Sequence, residues 1–310
     1  MNGFTAQRGV AIITALLIVA IATTVSVTIS TRLQLDVRRT GNIIAGDQAY
    51  LYTLAAESWS QRILKSDREN NDIDHLGEDW AIELPPLPVE GGYIQGKLTD
   101  LQSCFNLNSL LASSADNTLA RTRLERLLNN LGIDQGNAQA VIDWLDEDLQ
   151  TTIPDGAEDV FYMNLERPYR TANTPIMSTS ELRLIKGFED TEIYDVLLPH
   201  VCAFGVSTPI NVNTASIEVL RSLADGLSES DAEQIIEQRT DTAFNNINEF
   251  TNFKDLKNKI TSTEGLSVDT EYFMLTTEST IGQVSVVTHS VIQRKTDGNT
   301  SVISRSQGVY

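Results

Sequence analysis

Between Leu127 and Arg167 the sequence places nine carboxylates and no lysine or arginine before Arg167 itself. The densest part reads Asp146-Glu147-Asp148, followed after a short stretch by Asp155-Gly156-Ala157-Glu158-Asp159. Carboxylates at that density repel one another unless water solvates them or a cation neutralises them. Calcium takes about six to eight oxygen ligands. A loop leaving a helix is able to fold Asp146, Asp148, Glu158 and Asp159 around such an ion. The Asp-x-Asp start is that of an EF-hand loop, but the glycine and closing glutamate of that motif are not at its spacing. On spacing alone, a solvated acidic surface is the default alternative.

Other chemistry is thinly represented. No Gly-x-Ser-x-Gly elbow, phosphate loop, His-Glu-x-x-His or Cys-x-x-Cys occurs, and His75, His200 and His289 lie far apart. The chain is therefore read as a non-enzyme. Two cysteines exclude a disulfide-dense scaffold and a four-cysteine zinc site. Cys104 follows a strand-like run and Cys202 closes a helical stretch. In an oxidising compartment they pair, and the alternative is two buried free thiols. The formal charge of −19, from 42 acidic and 23 basic side chains, opposes a phosphate backbone.

The elements that position these residues begin with a span. Residues 10–30 carry no charge and, at 1.5 Å per residue, reach roughly 30 Å, the thickness of a bilayer core. From about Leu33 to Lys65 an amphipathic stretch follows. Tyr52, Ala56, Trp59 and Ile63 recur at helical spacing, which predicts one long helix, half membrane and half core. Gly41 and Gly46 are expected to loosen its middle. Pro85-Pro86-Leu87-Pro88 is a breaker, and YIQGKLTDL reads as a strand. EYFMLTTEST, VSVVTHSVIQR and TSVISRSQ read as three closing strands, with Asp297-Gly298 as a hairpin turn. Between them TRLERLLNNLGI, NAQAVIDWLDED and SELRLIKGF have helical periodicity, the last capped by Thr179 or Ser180. A second helical block runs from Asn211 to about Ile260. Strands on both sides of a helical middle imply an insertion. The fold class is α+β, a long N-terminal helix packed on an antiparallel sheet with a large inserted helical domain.

The Arg8-Gly9 junction before the apolar run resembles the class III leader of type IV pilins and type II secretion pseudopilins. An uncleaved signal anchor has the same hydropathy. The resemblance implies a leader over 1–9, cut between Gly9 and Val10 by a prepilin peptidase, with methylation of Val10. It implies a single-pass protein of the bacterial inner membrane, its C-terminal part in the periplasm. Pilins mostly carry Glu at the fifth mature position. Here that position is Thr14, and this departure resembles the K-type minor pseudopilins. DLQSCFNLNSL, VIDWLDED, GAED, RPYRTAN and INVNTA then follow in order, so the similarity covers nearly the whole chain. By this resemblance 10–30 is the transmembrane helix, 31–66 its continuation, 67–105 the first part of a pilin head and 106–206 an inserted α-domain. Residues 207–310 are the second helical block and the closing strands. The family's α-domain binds calcium as a structural cofactor. Asp146, Asp148, Glu158 and Asp159 match its acidic positions, and Asp155 matches less closely. The implied partners are the I- and J-type minor pseudopilins and the pseudopilus, with this subunit at the filament tip priming assembly for protein export.

The helical blocks also resemble helix-hairpin-helix or SAM-like units, Leu131-Gly132-Ile133 before Ala138 and Gly226-Leu227 before Ala232. The INVNTA entry at Ile210 to Ala215 is similar to DNA-uptake receptors, which gives a membrane-anchored DNA receptor as the alternative. Glu229 and Asp231 stand where phosphate would sit, and residues 208–262 hold nine acidic and five basic side chains. No nucleic-acid partner is expected.

Overall fold

The computed structural model describes residues 8–83, 85–111, 114–205, 207–254 and 256–308. The expected leader falls mostly on residues 1–7, outside the described residues. One helix, α1 (Arg8–Asn70), runs unbroken through Gly41 and Gly46. Neither glycine loosens it, because the helix continues into a packed stripe that holds its second half. That stripe is Ala49, Thr53, Glu57, Ser60 and Leu64, one residue per turn and all buried. The apolar residues of 10–30 are exposed, and α1 is the one helix among the described residues long and apolar enough to cross a membrane.

The sheet under α1 has the order β1-β2-β7-β8-β9, antiparallel throughout. Its strands are β1 (Leu87–Val89), β2 (Gly92–Asp100), β7 (Tyr272–Ile281), β8 (Val284–Arg294) and β9 (Thr300–Gln307). Gly92 has to be glycine, since a Cβ there would sit 1.7 Å from the Thr280 carbonyl oxygen. Ala49 packs with Ile281 and Val286 at one end of the sheet, and Leu64 with Leu98, Phe273 and Ile292 at the other. Strand β2 therefore ends, and β7 begins, beside the end of α1 farthest from the apolar span.

Everything between those strands is inserted at that far end. The insertion comprises β3 (Phe105–Asn106), α2 (Ser114–Asn130), α3 (Asn137–Leu145), α4 (Asp159–Tyr162), α5 (Thr191–Leu197), β4 (Val201–Cys202), β5 (Ile210–Asn211), α6 (Ile217–Ser222), α7 (Glu229–Asp241), α8 (Ile247–Asn252), α9 (Leu256–Lys259) and β6 (Leu266–Ser267). One hydrophobic core runs through both helical blocks, from Leu124, Leu128 and Trp144 to Val219, Ile235 and Phe250. The line expected at 206/207 thus separates segments that share a single core. SELRLIKGF forms a 3-10 turn over Thr179–Leu184, and its cap is Ser178 rather than Thr179 or Ser180. Ser178 has the extended backbone a cap requires, and Glu181, three residues on, accepts from its amide to close a capping box.

Buried polar groups fasten the insertion to the head. Arg294 donates to the Asp74 carboxylate, to Asp67 at 2.7 Å and to the Thr270 carbonyl at 2.9 Å. Asp100 accepts from Thr270 Oγ1, Thr214 Oγ1 and Asn211 Nδ2, while Asn211 Nδ2 also reaches the Asp74 carbonyl. Burial pushes Asp100 up to about 6 despite those donors. The INVNTA residues are in this way the joint between insertion and sheet.

Candidate metal centre

Helix α3 stops at Leu145, and Asp146 leaves it in extended conformation. The loop that follows is anchored from below. Asp143, fully buried, accepts the Thr152 amide, and Gln139 Oε1 accepts the Asp155 amide at 2.9 Å. The chain then returns so that Glu158 stands at the N-cap of α4. This path brings Asp146, Asp148 and Glu158 together, with one carboxylate oxygen of each within 4.8 Å of the others. Glu158 is buried, Asp146 half-buried and Asp148 exposed.

Two carboxylate oxygens of this trio lack a partner. Asp146 Oδ1 and Glu158 Oε1 are buried and accept no hydrogen bond. A buried oxygen without a partner is costly, and two beside a third carboxylate are costlier still. Burial pushes Glu158 up to about 7, opposed by the Thr171 hydroxyl and assisted by the charges of Asp143 and Asp146. Burial and then the charges of Asp148 and Asp143 push Asp146 up to about 6. Hard anionic oxygens converging without a counter-charge are the donor set of a calcium ion, so the residues present fit one.

The remaining acidic candidates have other partners, although Asp159 borders the cluster, since the Thr171 hydroxyl donates to both Glu158 at 3.2 Å and Asp159 at 3.0 Å. Asp159 is held by the Thr171 amide at 3.1 Å and by Arg170 at 3.7 Å, and it does not join the cluster. Asp155 turns its carboxylate against Gly136, where a Cβ would stand 2.5 Å from Oδ2. Sequence reasoning missed Asp143, which holds the loop's return, and Asn173. The Asn173 Oδ1 is buried and unpartnered, its Nδ2 donates to the Asp148 carbonyl at 3.1 Å, and its φ of 47° suits asparagine. The RPYRTAN motif, which ends on it, was the available signal. A second acidic group, Asp67, Asp74 and Glu78, already has the Arg294 guanidinium paired to two of its members.

Cys104 and Cys202 are joined in a disulfide, their Cα atoms 5.9 Å apart, beside the β3–β4 pairing. The bridge ties together the two chain crossings that enclose the acidic loop. In the hairpins, Gly132 and Gly226 both adopt φ +73°. At the α7 N-terminus the Ser228 amide donates to Asp231 Oδ2 at 2.8 Å, and Lys259 pairs with the same oxygen at 2.6 Å. Those contacts lower Asp231 to about 2, with the Lys259 bond first. The α7 N-terminus thus carries a fixed anion of the protein's own.

Comparison with known proteins converges on one family. Residues 103–206 and 210–269 match two models described as type II secretion system protein K. The type II secretion system protein K of Pseudomonas aeruginosa is 35% identical over 97% of this chain and 93% of that protein. Its counterpart in Aeromonas hydrophila is 31% identical over 97% of each. A chain of the crystal structure of the GspK-GspI-GspJ complex from the enterotoxigenic Escherichia coli type 2 secretion system superposes with a TM-score of 0.78. That match is 28% identical and covers 88% of this chain and all of that one. With its α+β pilin-like fold, the chain belongs to the type II secretion system protein K family of minor pseudopilins.

Proposed function

We propose that this minor pseudopilin caps the tip of the pseudopilus and primes its assembly, as a structural subunit. One observation carries the reading. The insertion leaves the sheet beside Leu64, about 50 Å beyond Ser30 at roughly 1.5 Å per residue, at the end of α1 opposite the apolar span. A head broadened there would crowd a subunit stacked above it and leaves free the side facing subunits below. Thr14 agrees with a first position. Its hydroxyl donates to the Val10 carbonyl at 3.1 Å and the Ala11 carbonyl at 3.0 Å, so it needs no partner from a subunit ahead.

In this reading a prepilin peptidase cuts after Gly9 and the chain starts at a methylated Val10. Residues 10–30 anchor it in the inner membrane, and the head lies in the periplasm. Asp146, Asp148 and Glu158 hold a calcium ion, whose charge cancels the repulsion of the loop. Asn173, whose Nδ2 donates to the Asp148 carbonyl, offers a further neutral oxygen. The role is stabilising. The partners are the I- and J-type minor pseudopilins, as the name of the E. coli complex suggests. The test is co-expression of the full chain with those two proteins and sedimentation of the detergent-extracted membranes. A single species containing all three is expected, and three separately sedimenting proteins would overturn the assignment. The DNA-receptor alternative is disfavoured by charge, since Asp231 is fixed as an anion at the α7 N-terminus and would repel a phosphate there.

A further inference from the structure

The stripe that the sequence marks on α1, Tyr52, Ala56, Trp59 and Ile63, is not the one buried against the sheet. Tyr52, Ala56 and Ile63 are only half-buried, and Trp59 is 40% exposed. Continued by Ser66 and Asn70, this stripe forms one wall of a groove. The apolar half is a cavity of about 250 Å³ against β1, β2 and β7, with Ala55, Ala56 and Gly96 leaving the space and Leu87 and Ile94 closing it. The other half, of about 580 Å³, lies against residues 70–82. Trp59, Ile63, Asp79 and Ile82 line both halves, so the groove is continuous. From Tyr52 to Asn70 it follows α1 for about 27 Å at roughly 1.5 Å per residue.

The charge along the groove has one sign. Asp67, Glu78 and Asp79 line it, and among the described residues no lysine or arginine does. Asp67 has Arg294 at 2.7 Å, and Glu78 accepts from Trp80 Nε1 at 2.7 Å with His75 Nε2 at 3.7 Å. Asp79 is exposed and, among the described residues, makes no ion pair and no side-chain hydrogen bond. On the same stretch of α1, Lys65 and Arg68 pair elsewhere, with Glu69 and Asp269. An aromatic floor with Trp59 and the 54% exposed Ile82 at its lip suits a large apolar side chain, and a free carboxylate beside it suits a cation. We propose that the groove docks an extended segment of another polypeptide that carries a large apolar residue and, about four residues along, a lysine or arginine. The apolar side chain seats between Trp59, Ile82 and Gly96, and the cation faces Asp79 and Asp67. This docking holds whatever position the subunit takes in a filament.

The probe is the fluorescein-labelled peptide Phe-Leu-Ser-Gly-Ser-Gly-Lys-Lys, together with its reversed sequence, read by anisotropy against the full chain in detergent micelles. At least one of the two is expected to bind in the submillimolar range. Replacing its Lys-Lys by Glu-Glu, or its Phe-Leu by Gly-Gly, should weaken it by about tenfold or more. On the protein, Asp79→Lys reverses the free charge from an exposed position, and Ala55→Phe fills the apolar half from another. Each should weaken the peptide by about tenfold or more while leaving the melting temperature unchanged. Two surface variants at opposite halves keep the test open should either one perturb the fold. No binding of either lysine peptide, equal binding of the Glu-Glu peptide, or full binding by both variants would overturn the proposal. A chain that sediments as a dimer, and as a monomer after Ala55→Phe, would put a second copy in the groove and overturn it as well.

Discussion

Asp146 and Glu158 make the acidic loop a liability when no cation is present. Their folded carboxyls hold protons up to about 6 and about 7, against ordinary values of 3.8 and 4.5. Between those limits the folded state binds more protons than the unfolded one, so stability falls as pH rises through the window from about 4 to 7. Thermal melting of the metal-free protein is expected to show that fall. Saturating calcium is expected to remove it and to add about 2.7 kcal/mol at a hundredfold excess over Kd. Glu158→Gln should raise the metal-free melting temperature by removing one repelling charge, and should shrink the calcium-induced rise. A metal-free stability that climbs across that pH window would contradict this electrostatic account. The density of acidic residues was legible in the sequence; which of them converge was not. Asp159 matched the family pattern, and in the structure it pairs with Arg170 and accepts from Thr171, contacts that no local pattern signals.

At the scale of elements, the long helix and the four longer strands were legible because their periodicities are strong and local. Strand β1 was not. Its Leu87-Pro88 belongs to a run that reads as a breaker, and Pro88 is tolerated there because β1 is the edge of the sheet. The joint made by Asp74, Asp100, Asn211 and Arg294 had no sequence signal either, since Arg294 and Asp74 are 220 positions apart. Two predictions belong here. Arg294→Met leaves Asp74 buried without its counter-charge and should cost about 3–5 kcal/mol, read from chemical denaturation of the full chain. Replacing both Cys104 and Cys202 by serine opens a loop of 98 residues and should cost about 2–5 kcal/mol, with the loss appearing in protease resistance of the insertion before that of the sheet. Equal protease sensitivity of both parts would mean that the bridge does not act locally.

For the whole molecule, the fold was legible as an order of events, a span, a stripe, a strand, a helical middle and three strands. The sharing of one core by both helical blocks was not, because contacts such as α2 on α6 join segments that no local pattern relates. The consequence is mechanical. A head inserted as one body at the far end of α1 moves with that helix, and so its place in a filament is decided by where α1 sits. Mass spectrometry of the N-terminal peptide from native membranes should find a chain beginning at methylated Val10, because an uncut leader would hold α1 out of register with its neighbours. The claim that this subunit occupies the tip is tested most directly by immunogold labelling of its head on isolated pseudopili. One cluster of label at a single filament end is the predicted result, and label distributed along the shaft would contradict the account.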